Sequence, residues 1–324
     1  MAQPSLDHLD LQVLQALQLD GRAPFSRIAA VLGVSDQTVA RRYRKLHNTV
    51  NMRVLGMTDE GRLGRQSWIV RLHCVPDVAE QLAEVLAKRP DTVYVALVSG
   101  GTEVMCGMRP RTRKARDELL FDRLQRTPQI NTVTAHCLLH PFYGGLLSWL
   151  NKSHALTPDQ EAALRVPAPQ PLGSPVTPDP ADETLLAELR RDGRATLTEL
   201  QKATGLSESA VKRRLESLRS TGVLYFSLQY DHESLGQGVS AMLWLTVAPQ
   251  ALAHVGRSLA AHREVHFASA TTGRANIVVS AHFRGPDDLY TYLSEKIGAL
   301  DGVQAVETNL ILRQVKQFTY EPGR

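Results

Sequence analysis

Leu6, Leu9, Val13, Leu14 and Leu17 recur at the three- and four-residue spacing of an amphipathic helix, with Asp7 and Asp10 at its start, where the helix dipole favours acids. Gly21 ends that run. Pro24 then opens a shorter one, Phe25, Ile28, Ala29 and Leu32, which closes at Gly33. Ser35 stands as the cap of a third helix from Asp36 to about His47, with Val39, Tyr43 and Leu46 as its buried stripe. Two short helices joined by a glycine turn behind a supporting helix predict a helix-turn-helix. The period then changes. Residues 68–75 alternate as a strand, with Trp68, Val70, Leu72 and Cys74 on one side. Residues 77–87 read as a helix, 92–98 and 103–108 as strands, 114–125 as a helix and 132–139 as a last strand. That β-α-β-β-α-β order is the ferredoxin-like split.

The pattern occurs twice. Asp20-Gly-Arg-Ala23 returns 172 residues later as Asp192-Gly-Arg-Ala195, and the same offset joins Leu14 to Leu186, Gly33 to Gly205, Ser35 to Ser207, Val39 to Val211 and Leu46 to Leu218. Beyond Gly64 the register slips by one, as Pro76 answers to Pro249. In the second copy the strands and helices fall at 239–247, 250–262, 265–271, 276–283, 286–300 and 304–313. Seven of the 17 prolines lie between residues 158 and 180, a composition that favours extended polyproline II over a packed core. The chain is therefore a tandem duplication of class α+β. Its expected parts are helix-turn-helix 1 (1–60), ferredoxin-like domain 1 (61–150), a proline-rich linker (151–178), helix-turn-helix 2 (179–231) and ferredoxin-like domain 2 (232–324).

Composition narrows the class further. The 324 residues are 43% apolar and 22% charged, with a net charge of +4, which fits compact domains and no disordered or fibrous chain. The longest apolar stretches fall far short of the roughly 20 residues that span a bilayer. The acids near the N-terminus differ from a basic secretory leader, so a cytoplasmic protein is expected. Cys74, Cys106 and Cys137 lack paired spacing and read as buried thiols rather than disulfides or zinc ligands. No metal, cofactor or catalytic set is expected: no Gly-rich phosphate loop and no H-E-x-x-H is present, and His266 is a lone histidine.

The chemistry sits on the third helix. Opposite its buried stripe are Gln37, Thr38, Arg41, Arg44 and Lys45. Arg and Gln can pair with guanine and adenine edges in the major groove, while Lys and Thr suit phosphate oxygens. The bland alternative is a solvated basic face, but this face lies on the helix that such a fold inserts into DNA. Double-stranded DNA is the expected partner. In the second copy the same positions hold Ser209, Ala210, Arg213, Glu216 and Ser217, with Lys212 and Arg219 beside them. The first half is thus expected to read most of the bases.

Leu9-Asp10, the two Asp-Gly-Arg-Ala turns, Leu206-Ser207 with Val211, Arg214 and Leu218, Gly222-Val-Leu224, Leu235-Gly236 and the end strand Val303-Gln-Ala-Val-Glu-Thr-Asn309 resemble the Lrp/AsnC family of transcription regulators. The resemblance implies a helix-turn-helix domain followed by a ferredoxin-like effector and oligomerisation domain, a small-molecule effector such as an amino acid or related metabolite, and homo-oligomers. It places the effector near glycine loops that correspond here to Ser99, Gly100, Gly101 and Thr102, and to Thr271, Thr272, Gly273, Arg274 and Asn276. Linked copies are expected to pair as a pseudo-dimer, either within one chain or exchanged between two, burying Trp68, Val70 and Leu72 against Met242, Trp244 and Thr246, and then to associate further. Two alternatives stand beside the regulator. One is a siroheme-decarboxylase-like enzyme on the same plan, whose expected His-Asn-Tyr segment is here Asp91-Thr-Val-Tyr-Val-Ala96 and Glu264-Val-His-Phe-Ala-Ser269. The other is a ligand sensor that does not bind DNA.

Overall fold

A computed structural model describes residues 6–124, 126–145 and 147–319. Along the chain the elements run α1 (His8–Leu19), α2 (Phe25–Leu32), α3 (Asp36–Thr49), β1 (Arg53–Thr58), β2 (Trp68–Cys74), α4 (Pro76–Ala87), β3 (Thr92–Val98), β4 (Glu103–Met108), α5 (Arg113–Asp117), β5 (Ile130–Tyr143), α6 (Pro158–Leu164), α7 (Pro180–Arg191), α8 (Leu197–Thr204), α9 (Glu208–Ser220), β6 (Leu224–Gln229), β7 (Val239–Val247), α10 (Leu252–Ala261), β8 (Val265–Thr271), β9 (Ile277–Phe283), α11 (Pro286–Thr291) and β10 (Val303–Gln317). They divide into two compact units. One comprises the chain up to Gly64 with Gly145–Gly236, the other Arg65–Gly144 with the chain from Gln237 onward.

The first unit contains both helix-turn-helix copies around one core. Capping boxes start the supporting helices: Asp7 and Asp10 each accept the other's backbone N–H at α1, and Asp179 and Asp182 do the same at α7. The α2–α3 and α8–α9 turns pass through Gly33 at φ 67° and Gly205 at φ 71°, left-handed positions that glycine adopts without steric cost. Ser35 and Ser207 then cap α3 and α9 by accepting the N–H groups of Thr38 and Ala210. Each third helix leads into a strand, and β1 and β6 pair antiparallel in a two-stranded ribbon. Its register obeys the repeat, since Arg53↔Gln229 and Met57↔Tyr225 are exchanged by the 172-residue offset. The repeated turns clasp one another: Arg22 donates to the carbonyls of Gly193 (2.7 Å) and Ala195 (3.0 Å), and Arg194 to those of Gly21 (2.7 Å) and Ala23 (3.2 Å). Val13, Leu14, Leu17, Val39 and Leu46 are buried with Leu186, Leu189, Val211 and Leu218 in the shared core.

The second unit contains both ferredoxin-like copies. Their strands close into one eight-stranded barrel of order β10-β3-β4-β2-β5-β8-β9-β7. Exchanging the copies returns the same order, so the barrel has a pseudo-two-fold axis. The intrachain pseudo-dimer is thus realised through β10 on β3 and β5 on β8. Helices cover the outside. Val70, Leu72 and Cys74 pack with Ala79, Ala83 and Leu86 of α4, and Leu243 and Leu245 with Val255 and Leu259 of α10. Ile69, Ala96, Val98, Met105, Met242, Trp244 and Val278 fill the inside. Among the described residues no helix is long and apolar enough to cross a membrane.

Several expectations change. Met242 and Trp244 face the other copy as expected, but Val70 and Leu72 face α4; their neighbours Ile69 and Arg71 point inward instead. With a side-chain period of two, misjudging the face by one residue inverts the whole strand. The helices expected at 114–125 and 286–300 widen after Asp117 and Thr291 into π-helical segments, Glu118–Leu124 and Tyr292–Ile297. The buried pairs Leu119/Leu124 and Tyr292/Ile297 are five residues apart, which suits the wider turn. Gln125 lies outside the described residues. The expected proline-rich linker is partly helical and partly buried: α6 packs on α1 and α2, with Leu150, Leu156 and Leu164 in the core. Its extended part is hydrogen-bonded on both sides, Gln170 N–H to the Ser220 carbonyl and Val176 N–H to that of Arg62.

Candidate functional site

The orientation of α3 is fixed from below. Val39 and Leu46 are fully buried, and Tyr43 packs against Phe25 with ring centroids 5.2 Å apart. The Arg194 guanidinium of the second copy covers both rings, 4.7 Å from Phe25 and 5.6 Å from Tyr43. Arg42 pairs with Asp7 and Asp10, and Lys45 pairs with Asp10. Asp10 is fully buried, and such a carboxylate is costly unless neutralised. Lys45, expected on the DNA face, is therefore spent holding α3 to α1. Thr38 is half-buried and its hydroxyl meets that of Ser35 at 2.9 Å, so it belongs to the cap. What remains outward is Gln37, Arg41 and Arg44, all exposed. Arg44 reaches only its own helix, at the Ala40 carbonyl, and among the described residues Arg41 has no partner.

The corresponding face of α9 is different. Ser209 touches the cap Ser207 at 3.2 Å, and Lys212 pairs with Glu208 at 2.6 Å one turn earlier. Arg213 and Glu216 are exposed. Arg214 repeats the role of Arg42 by binding Asp179 and Asp182. Hydrogen bonds to Asp182 and Asp179 raise its pKa, while hydrogen bonding to Asp7 does so for Arg42. Arg219, beside that face, donates to Asp20 at 3.1 Å and lies over Phe226.

The glycine loops both lie at the barrel. Ser99 (φ 54°), Gly100 (75°) and Gly101 (83°) form a left-handed run, in which the Ser99 hydroxyl donates to Glu103 and accepts from Asn309. Thr102 closes the loop onto the Ser99 carbonyl. In the second loop Asn276 is fully used by the Val247 backbone, at 2.7 and 2.9 Å. Thr271 donates to the Cys137 carbonyl, and Thr272 accepts from the Cys137 N–H and, at its carbonyl, from His136 Nδ1. Gly273 and Arg274 are exposed, with Gly273 lying against the His136 ring. The side chains of Asn276 and Thr271 are thus engaged by backbone groups.

Inside the barrel lies a polar network that sequence reasoning missed. Arg71 donates to Glu103 and Glu307, and its guanidinium sits 4.9 Å from the Trp244 ring. Against the depressing effect of burial, the hydrogen bonds to Glu307 and Glu103 hold Arg71 above the ordinary arginine pKa, and Arg71 in turn lowers that of Glu307. His136 packs on the same indole, centroids 4.8 Å apart. Trp244 Nε1, His136 Nε2 and Asn309 Oδ1 are buried without a hydrogen-bond partner. The signal was available: in the alternation of residues 68–75, Arg71 is a charged residue on the face opposite Val70 and Leu72.

Comparison with known proteins fits this geometry. The AsnC-type helix-turn-helix domain matches residues 6–47, the winged helix-turn-helix DNA-binding domain 178–225, and the Lrp/AsnC ligand binding domain 240–320. The HTH-type transcriptional regulator FL11 of Pyrococcus abyssi is 31% identical over 148 residues, 45% of this chain and 97% of that protein. This chain belongs to the Lrp/AsnC family of DNA-binding regulators. Among other Lrp/AsnC relatives, the HTH-type transcriptional regulator LrpA of Pyrococcus horikoshii is 29% identical over 43% of this chain and 99% of its own length. The chain is about twice as long as these regulators, as a tandem duplication requires. The siroheme decarboxylase NirDL shares the fold over 97% of this chain and 93% of its own, with a TM-score of 0.62 and 16% identity.

Proposed function

We propose that this Lrp/AsnC protein is a sequence-specific, double-stranded-DNA-binding transcriptional regulator whose barrel unit answers to a small-molecule effector, an amino acid or related metabolite. The state of Arg41 carries the DNA reading. It is exposed and has no partner among the described residues, on a helix whose neighbouring cations are spent on Asp7 and Asp10. The guanidinium is thus available while its helix is fixed, the condition for a bidentate guanine contact; Gln37, four residues earlier, offers an adenine-reading amide. The exposed Arg274, the Ser99–Gly101 run and the unpartnered polar atoms around Trp244 support the effector reading. We read the chain as a cytoplasmic, homo-oligomeric regulator rather than an enzyme, because an exposed base-reading helix face serves no purpose in a decarboxylase.

The test is binding to duplexes selected from a random-sequence pool. Affinity should fall steeply with salt as phosphate counterions are released. At fixed salt, Arg41→Ala should weaken the selected site by about 1–3 kcal/mol, the size of one bidentate base contact. A variant that binds as tightly as the parent would overturn the assignment.

A further inference from the structure

We propose that the DNA site of this chain is an asymmetric operator: α3 reads one half-site through base edges, and α9 engages the other only weakly, chiefly through Arg213. The inference rests on the DNA-binding reading above and deepens it. Its basis is the equivalence of positions between two helices that share one scaffold. Gln37, Arg41 and Arg44 on α3 correspond to Ser209, Arg213 and Glu216 on α9, and all six are exposed.

Three differences follow from chemistry. Recognition helices read bases mainly with their N-terminal residues, and there Gln37 offers a long bidentate amide where Ser209 offers a short hydroxyl already in contact with Ser207. Arg44 to Glu216 reverses the charge at one position, placing a carboxylate where a phosphate-facing helix needs a cation. The extra cation of α9, Lys212, is held by Glu208 of its own helix. Arg213 alone keeps the character of its counterpart. The outward charged residues of α3 are Asp36, Arg41 and Arg44, a net single positive charge; those of α9, Glu208, Lys212, Arg213 and Glu216, cancel.

The scaffold prevents these differences from averaging out. In a homodimer both recognition helices are the same sequence, so a palindrome is the natural site. Here each turn's arginine binds the other copy's carbonyls and β1 pairs with β6, so α3 is always presented with α9. The segment between the copies adds its own contacts. Gln15 of α1 holds Glu161 (2.6 Å) and the Leu156 N–H (2.9 Å), and Arg27 of α2 donates to the Ala163 carbonyl (2.7 Å), so the segment around α6 props the first copy's helices from behind.

The experiment selects bound duplexes from a random-sequence pool with the full chain, then compares the selected site with two palindromes, each built from one of its halves. A non-palindromic site is expected, with the palindrome of the weaker half bound at least about ten-fold less tightly than the other, the size of a lost bidentate contact. Arg41→Ala should cost about ten-fold or more on the selected site and Arg213→Ala only a few-fold, while Glu216→Arg should tighten binding to the weak-half palindrome. All three side chains are exposed, so folding is not at stake. A palindromic selected site, or equal losses for Arg41→Ala and Arg213→Ala, overturns asymmetric reading while leaving DNA binding intact. Recovery of no preferred duplex, with no salt-dependent binding at all, overturns the DNA-binding reading and this inference with it.

Discussion

The two units treat the same duplication in opposite ways. Around the Asp-Gly-Arg-Ala turns the copies still mirror each other, with Arg22 and Arg194 giving reciprocal bonds to the opposite turn's carbonyls. Inside the barrel, equivalent positions have become different residues: Arg71 answers to Trp244, Glu103 to Asn276, and His136 to Asn309. The first clasp is made to backbone, whose acceptors do not change when side chains do. The second meets across the pseudo-axis through side chains as well as through the β10–β3 and β5–β8 ladders, and between those side chains a symmetric pair would place like against like, arginine on arginine. Once the copies were joined, each could complement the other. Arg71 over Trp244 is such a complement, a contact that identical subunits could not make at that place.

The largest expected effect comes from breaking the diverged pair. Arg71→Met leaves Glu103, 1% exposed, without its cation, and should destabilise the barrel unit by about 3–5 kcal/mol, as removing one partner of a buried ion pair does. Adding Glu103→Gln should recover part of that loss. Trp244→Arg should be severe as well, since it sets two cations together. Urea unfolding of the full chain followed by tryptophan emission and far-UV circular dichroism measures the first two, circular dichroism alone the third; a loss below about 1 kcal/mol for Arg71→Met would show that the pair is not organised as described.

Next in size is the mirrored clasp. Burial comes first, then the neighbouring cations Arg194 and Arg219, in lowering the Arg22 pKa; burial likewise lowers that of Arg194. Both guanidiniums stay charged, and each makes bonds of the charged-donor kind, worth about 1.5–3 kcal/mol. Arg22→Ala and Arg194→Ala should therefore each cost the first unit about 2–3 kcal/mol, by similar amounts. A markedly larger effect for one of them would show that the clasp too has diverged, for instance through the contacts of Arg194 with Phe25 and Tyr43.

The same contrast explains what the sequence made legible. Capping residues, glycine turns and helix stripes are local signals, and Asp7, Ser35, Gly33, Val39 and Leu46 stand where periodicity puts them. Strands 92–98, 103–108, 239–247 and 265–271 match residue for residue, because short apolar, β-branched runs bounded by turn residues are also local signals. The β1–β6 ribbon escaped notice because its two strands come from different copies and pair far apart along the chain, Arg53 with Gln229, which no local pattern reveals. The fate of Lys45 and Asn276 was equally hidden. Each has the chemistry of a binding residue, and only the fold brings Asp10 and the Val247 backbone within reach to consume it.

The smallest expected effect is on acid stability, and it asks whether the mirrored unit is mirrored in charge as well. Burial is the largest single influence on the Asp7 carboxyl and opposes its ionisation, yet the Asp10 N–H and the Arg42 guanidinium together hold it below its ordinary 3.8; the Asp182 N–H and then Arg214 do the same for Asp179. A carboxyl depressed in the folded state contributes stability that is fully present above its unfolded value and is lost as pH falls through the folded one. The first unit should therefore lose stability below pH 3.8, with both helix starts contributing. Asn keeps the capping acceptor while removing the charge, so Asp7→Asn and Asp179→Asn isolate the titration from the cap. Each should flatten the dependence of unfolding free energy on pH between neutral and acid conditions, and by the same small amount. Flattening by Asp7→Asn alone would mean that the second helix-turn-helix has already lost this part of the mirror, in keeping with the weaker DNA contact proposed for α9.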